Sequence, residues 1–139
     1  MAEMKLLVEK RRDGIDVLTA WLPRIALAIL FVSVGTEKFA AQGMWVRIFD
    51  DIGFGQWFRY LTGVMQVGGA LLLLVPRTAA AGFILVGCTM LGAVIYWVAT
   101  GHAFGAVIPG ALLLVIVGIG WGEVARLVGN FLPSRGGLG

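Results

Sequence analysis

The chain has 139 residues, 59% of them hydrophobic and 14% charged, with a formal net charge of +3 and a mean hydropathy of +0.91. Charged residues make up about a quarter of an ordinary soluble domain, and a soluble chain of this length could not hide so much apolar sequence from water. A soluble globular fold is excluded, and the basic excess calls for no nucleic acid, because basic residues collect where anionic headgroups lie.

Four apolar stretches run over about 18–41, 57–75, 78–100 and 103–121. A hydrocarbon core is crossed by roughly 20 apolar residues at a rise of about 1.5 Å each, so each stretch is long enough. Their apolar character is continuous rather than alternating, which selects helices over a β-barrel in a solvent that tolerates no unpaired backbone. The predicted fold is all-α, an integral membrane up-down four-helix bundle with an interfacial segment between helices 1 and 2. It forms a single membrane domain over 1–139, with cytoplasmic tails at 1–17 and 122–139.

The first stretch follows Lys5, Lys10, Arg11 and Arg12, as a secretory signal would. It is too long for one and ends in Glu37 and Lys38 rather than at a small-residue cleavage site, so it is read as a retained span. The connection over 42–56 mixes Trp45, Phe49 and Phe54 with Arg47, Asp50, Asp51 and glycines, a composition suited to the headgroup layer. A short interfacial helix over 44–52, roofing the outer end of the bundle, is predicted there. Pro76 and Arg77 then turn the second span into the third, and Gly101 and His102 turn the third into the fourth, predicting antiparallel hairpins. The 21 glycines allow close helix approach, which matters because lipid supplies no hydrophobic force between helices.

Four spans put Lys5, Lys10, Arg11, Arg12, Arg24, Arg77, Arg126 and Arg135 on one side, against Lys38, Arg47 and Arg59 on the other. This asymmetry predicts cytoplasmic termini in a bacterial inner membrane.

Polar groups within the spans carry the functional signal, since an ionisable side chain at the bilayer centre costs about 2.5–3.5 kcal/mol on insertion scales. Ser33 and Glu37 share a face of the first span. Arg59, Gly63, Gln66 and Ala70 form a polar and small stripe on the second, and Thr89, Ala93, Tyr96 and Thr100 recur on one side of the third, followed by His102. With the first and third spans running outward, Glu37, Arg59, Tyr96 and His102 fall near the outer ends of their helices, and Gln66 lies roughly 10 Å deeper than Arg59. These five residues outline a predicted ligand pocket open to the outer leaflet. Glu37 and Arg59 are expected to pair, either to fix the bundle or as part of a ligand site. Gln66 and Tyr96 also suit interhelical hydrogen bonding, Lys38 suits snorkelling to the interface, and His102 suits an ordinary loop position.

The run from Arg24 through Gly35 to Lys38 and Phe39, then Gly63, Gln66 and Gly69 leading into 71–74, then Arg77, resembles the DoxX family of small bacterial four-helix membrane proteins. The resemblance covers roughly 20–121. It implies a tie to respiratory redox chemistry, since relatives include membrane subunits of a thiosulfate:quinone oxidoreductase and proteins of oxidative-stress defence. It also implies that many relatives hold a glutamate where this chain has Gln66, and a neutral amide cannot exchange a proton as a carboxylate does.

Absences narrow the chemistry. The one cysteine, Cys88, rules out an intrachain disulfide or dithiol relay and reads as a small buried hydrophobe. One histidine cannot supply two imidazoles to a haem, and no His, Cys or carboxylate grouping has metal-ligand spacing. Gly118–Glu123 is no dinucleotide fingerprint, because it ends a membrane helix instead of joining a strand to one. The expected cofactor is therefore none intrinsic, with a quinone the natural bound one, its carbonyl oxygens taking hydrogen bonds from Arg59, Tyr96, Gln66 or His102. The alternative is a non-catalytic accessory or assembly subunit packed against a larger membrane complex or in a homo-oligomer.

Overall fold

The computed structural model describes residues 1–131, all of them in helices and connecting turns. The end of the predicted tail, with Arg135, lies outside the described residues. In chain order the elements are α1 (Ala2–Glu37), α2 (Met44–Ile52), α3 (Gln56–Leu73), α4 (Ala79–Ala99), a 3-10 turn (Ala103–Ala106) and α5 (Val107–Phe131).

Three elements depart from expectation at their ends or in their reach: α1, α3 and α5, the last running on to Phe131, so that residues 122–131 of the predicted tail are helical. α1 begins at Ala2 rather than near residue 18, so most of the predicted tail is helical. Its polar stretch is rich in good helix formers and sets Lys5 against Glu9 and Arg12 against Asp16 at i,i+4, which lets the helix propagate beyond its apolar part. The helices long and apolar enough to cross a membrane are α1, α4 and the stretch Ala103–Phe131. α3 falls short of that measure. It has 18 residues, and Gln56, Arg59 and Gln66 fall within them and lower its hydropathy.

Packing follows chain order. α1 lies on α3, α3 on α4 and α4 on α5. Each neighbouring pair is antiparallel, as the close approaches show: Gly35 meets Val67 while Gly63 meets Phe39, Gly82 meets Leu73 while Gly69 meets Val86, and Gly120 meets Phe83 while Gly105 meets Trp97. The buried core joins Leu27, Ala28 and Phe31 of α1, Ala70 and Leu73 of α3, Phe83, Val86 and Met90 of α4, and Ile116 of α5. Helices in lipid are held by such van der Waals fit and by polar contacts.

One polar contact closes the far end. Arg24 of α1 donates to the Glu123 carboxylate of α5, with both side chains mostly buried, and Arg126 stands 3.7 Å from the same oxygen. A double-mutant cycle on Arg24→Gln and Glu123→Gln in detergent-solubilised protein is expected to give a coupling of about 1 kcal/mol, between the exposed and buried extremes. A coupling indistinguishable from zero would show that α1 and α5 are held by packing alone.

Candidate functional site

The site grows from the crossing of α1 and α3. A Cβ at Gly35 would stand 2.7 Å from Val67 Cγ2, and one at Gly63 would stand 3.1 Å from the Phe39 ring and 3.2 Å from the Gly35 carbonyl oxygen. Only glycine permits this approach. It brings the end of α1 against the middle of α3, and Lys38, one residue beyond α1, turns inward instead of toward water.

The ammonium of Lys38 donates to Gln66 Oε1 at 2.6 Å. Both side chains are buried, Lys38 at 5% and Gln66 at 0% exposure. α2 closes over them: its Trp45 ring centroid lies 5.0 Å from Lys38 Nζ and its Phe49 ring 5.9 Å away. Aromatic faces attract a cation, and do so more strongly when it is desolvated. The expected helix at 44–52 therefore forms, and it roofs this cluster. Its amphipathic pattern seats Phe49 against Phe58 of α3, while glycines with left-handed backbone angles, Gly43 (φ 128) and Gly53 (φ 82), bend the chain into and out of it.

Arg59, 2% exposed, completes the cluster. Its Nη1 donates to the Lys38 carbonyl oxygen at 2.6 Å and to that of Ala40, and its Nη2 donates to Tyr60 Oη at 3.0 Å. The expected ion pair between Glu37 and Arg59 does not form. The last carbonyls after α1 lack helical partners, and Arg59 reaches these, while Glu37 is exposed and accepts from Trp45 Nε1 at 3.3 Å. Among the described residues, the carboxylate ion pairs are those of Glu123, so the buried Lys38 and Arg59 have no acidic partner.

Three side-chain atoms in this region are buried without a hydrogen-bond partner: Gln66 Nε2, Arg59 Nε and Gln56 Oε1. The first two are donors within the cluster. Such donors are costly to bury unmatched. The site is thus rich in N–H groups and poor in acceptors, a demand that an acceptor-only ligand group would meet.

Of the five residues predicted for a pocket, Arg59 and Gln66 meet through Lys38, and Glu37 stands on the rim through Trp45. Tyr96 and His102 gather elsewhere, each edge-on to Trp97 with centroids 5.4 and 6.3 Å apart. That second group sits where α4 turns into α5, and Gly105 leaves room for the Trp97 ring. Lys38, Trp45 and Phe49 were not among the predicted residues. The signal for Lys38 was present, since Gly35 and Lys38 at the end of α1 repeat the spacing of Gly63 and Gln66 on α3, and antiparallel crossing at the glycines brings the two polar groups face to face.

A family model described as DoxX-like matches residues 22–127, which takes in α2, α3 and α4, most of α5 and the site-forming end of α1. The chain belongs to the DoxX-like family. No curated protein and no solved structure matches it. Among the described residues of this DoxX-like chain, no group of three His, Cys, Asp or Glu side chains is placed to hold a metal ion. An apolar groove of about 290 Å³ between α4 and α5, lined by Gly87 and Gly120 and flanked by Cys88 and Trp121, lies away from the polar cluster, and Cys88 is exposed there rather than buried as its apolar surroundings in the sequence suggest.

Proposed function

We propose that this DoxX-like protein is a quinone-linked subunit of respiratory redox chemistry, set in the bacterial cytoplasmic membrane with both termini in the cytoplasm. Its ligand site lies under α2, toward the outer leaflet. The observation that carries the reading is the pair of buried donors without acceptors, Gln66 Nε2 and Arg59 Nε, beside the Lys38 ammonium. A quinone carbonyl is an acceptor with no hydrogen to give, and its ring suits a roof made of Trp45 and Phe49. The quinone supplies the redox chemistry when bound. The protein's part is to orient the carbonyl toward Lys38 and Gln66 and to exclude water with α2.

Binding of a short-chain ubiquinone to the purified protein tests this. Gln66→Leu removes the unmatched amide and keeps the side-chain bulk, so it is expected to weaken binding about tenfold, the worth of a hydrogen bond in a desolvated site, with the helical spectrum unchanged. Equal affinity in the two proteins would remove the quinone reading.

A second reading has its own support. Residues 1–20 are exposed throughout, and Met4, Val8, Ile15 and Leu18, spaced four, seven and three residues apart, fall on one face of α1 that Arg11 interrupts, an apolar face that another helix could cover. An accessory subunit docked on a larger membrane complex through this stretch accounts for that pattern, and isolation from native membranes in mild detergent would yield the complex.

A further inference from the structure

We propose that Lys38, Gln66 and Arg59 form a binding site for a compact oxyanion, a phosphate-type group that is either free or carried as a lipid headgroup. The inference rests on the reading of this cluster as a ligand site and goes beyond it in the charge of the ligand.

Charge balance leads there. Lys38 and Arg59 are 5% and 2% exposed, and Arg59 bonds the backbone carbonyl of Lys38, so two buried cationic residues meet at the end of α1. Burying a charge costs several kcal/mol unless an opposite charge and hydrogen bonds offset the lost water. What the chain provides is a neutral amide at 2.6 Å, carbonyl oxygens, a phenol and two aromatic faces. The carboxylates nearby form no ion pair with either cation: Glu37 accepts from the Trp45 indole, Asp50 accepts from Gln56, and Asp51 is exposed. A single neutral acceptor would use one unmatched donor and leave the excess positive charge. An oxyanion answers both needs, because its several oxygens take N–H groups from different directions while its charge offsets the cations.

The test compares wild type with two variants in nanodiscs of phosphatidylcholine. Calorimetric titration with inorganic phosphate reads a free oxyanion, and a thermal shift on adding phosphatidic acid to the nanodisc reads a headgroup. Gln66→Glu is the deciding variant, since it installs a carboxylate against Lys38 and supplies internally the charge that the ligand would bring. It is expected to lower the oxyanion affinity about tenfold or more and to raise the melting temperature of the unliganded protein. Lys38→Met is expected to lower the affinity equally without that rise. Saturation by inorganic phosphate identifies a free oxyanion, and a response to phosphatidic acid alone identifies a lipid headgroup. Failure of both probes on wild type, or undiminished binding by Gln66→Glu, overturns the proposal. Ubiquinone titration of the same samples separates the two readings: quinone binding without oxyanion binding refutes the charge inference alone, and absence of both refutes the ligand site.

Discussion

Gly82→Ala is expected to lower the stability of the detergent-solubilised protein by about 3 kcal/mol, at the upper end of what overpacking costs. A Cβ there would stand 2.7 Å from the Gly69 carbonyl oxygen, 2.8 Å from the Leu73 amide nitrogen and 3.1 Å from the Leu72 carbonyl carbon. All three neighbours are backbone, so no side chain can rotate away, and relief requires α3 and α4 to separate. Separation is costly because Leu73 and Ala79 are fully buried at this crossing and Phe83 is 3% exposed. The comparison that makes the result specific is Gly92→Ala, on the same helix with nothing within 4 Å of its Cβ. That change is expected to be neutral or slightly stabilising, because alanine is the better helix former. Unfolding in a denaturing detergent checks both, and equal stability of the two variants would mean that α3 and α4 do not approach at Gly82.

The contrast between those glycines marks how far the sequence alone could be read. Apolar length placed α3 and α4 to within two residues at their ends, because lipid leaves the backbone so few alternatives, and the aromatic and acidic mixture at 44–52 placed α2. Length said less where a helix runs on without an apolar reason, as α1 does through Lys5 to Arg12. Nor does a glycine announce which neighbour it meets, and Gly82 and Gly92 look alike until the crossing is known. The candidate site was legible by half. Arg59 and Gln66 stood out as costly groups on one stripe, but Glu37 and Lys38 are adjacent at a helix end, where a small change in the last turn decides which faces in. Complementary charge favoured Glu37 as the partner of Arg59. The unsatisfied carbonyls at the end of α1 outweighed it, and Lys38 took the buried position.

That exchange of partners makes Arg59 the second site of large effect. Arg59→Leu keeps an apolar side chain in α3 but leaves the Lys38 and Ala40 carbonyl oxygens without the guanidinium that joins them. A buried acceptor stripped of its partner costs about 1–3 kcal/mol, which applies to the Lys38 carbonyl, while the part-buried Ala40 carbonyl can be hydrated and adds less, so the expected loss is about 2–3 kcal/mol, offset in part because one buried charge is removed as well. The damage should be local in kind. The segment 38–43 is held to α3 through these bonds, and α2 follows it, so the Trp45 ring is expected to move away from Lys38. Hydrogen exchange should therefore rise across 38–52 while α4 and α5 keep their protection, a pattern that Gly82→Ala would reverse by loosening α3 and α4 first. Arg59→Lys separates geometry from charge. A single ammonium cannot span two carbonyls and a phenol as the planar fork does, so it is expected to recover less than half of the loss. Full recovery by lysine would show that positive charge, and not the bridging geometry, fastens the end of α1 to α3.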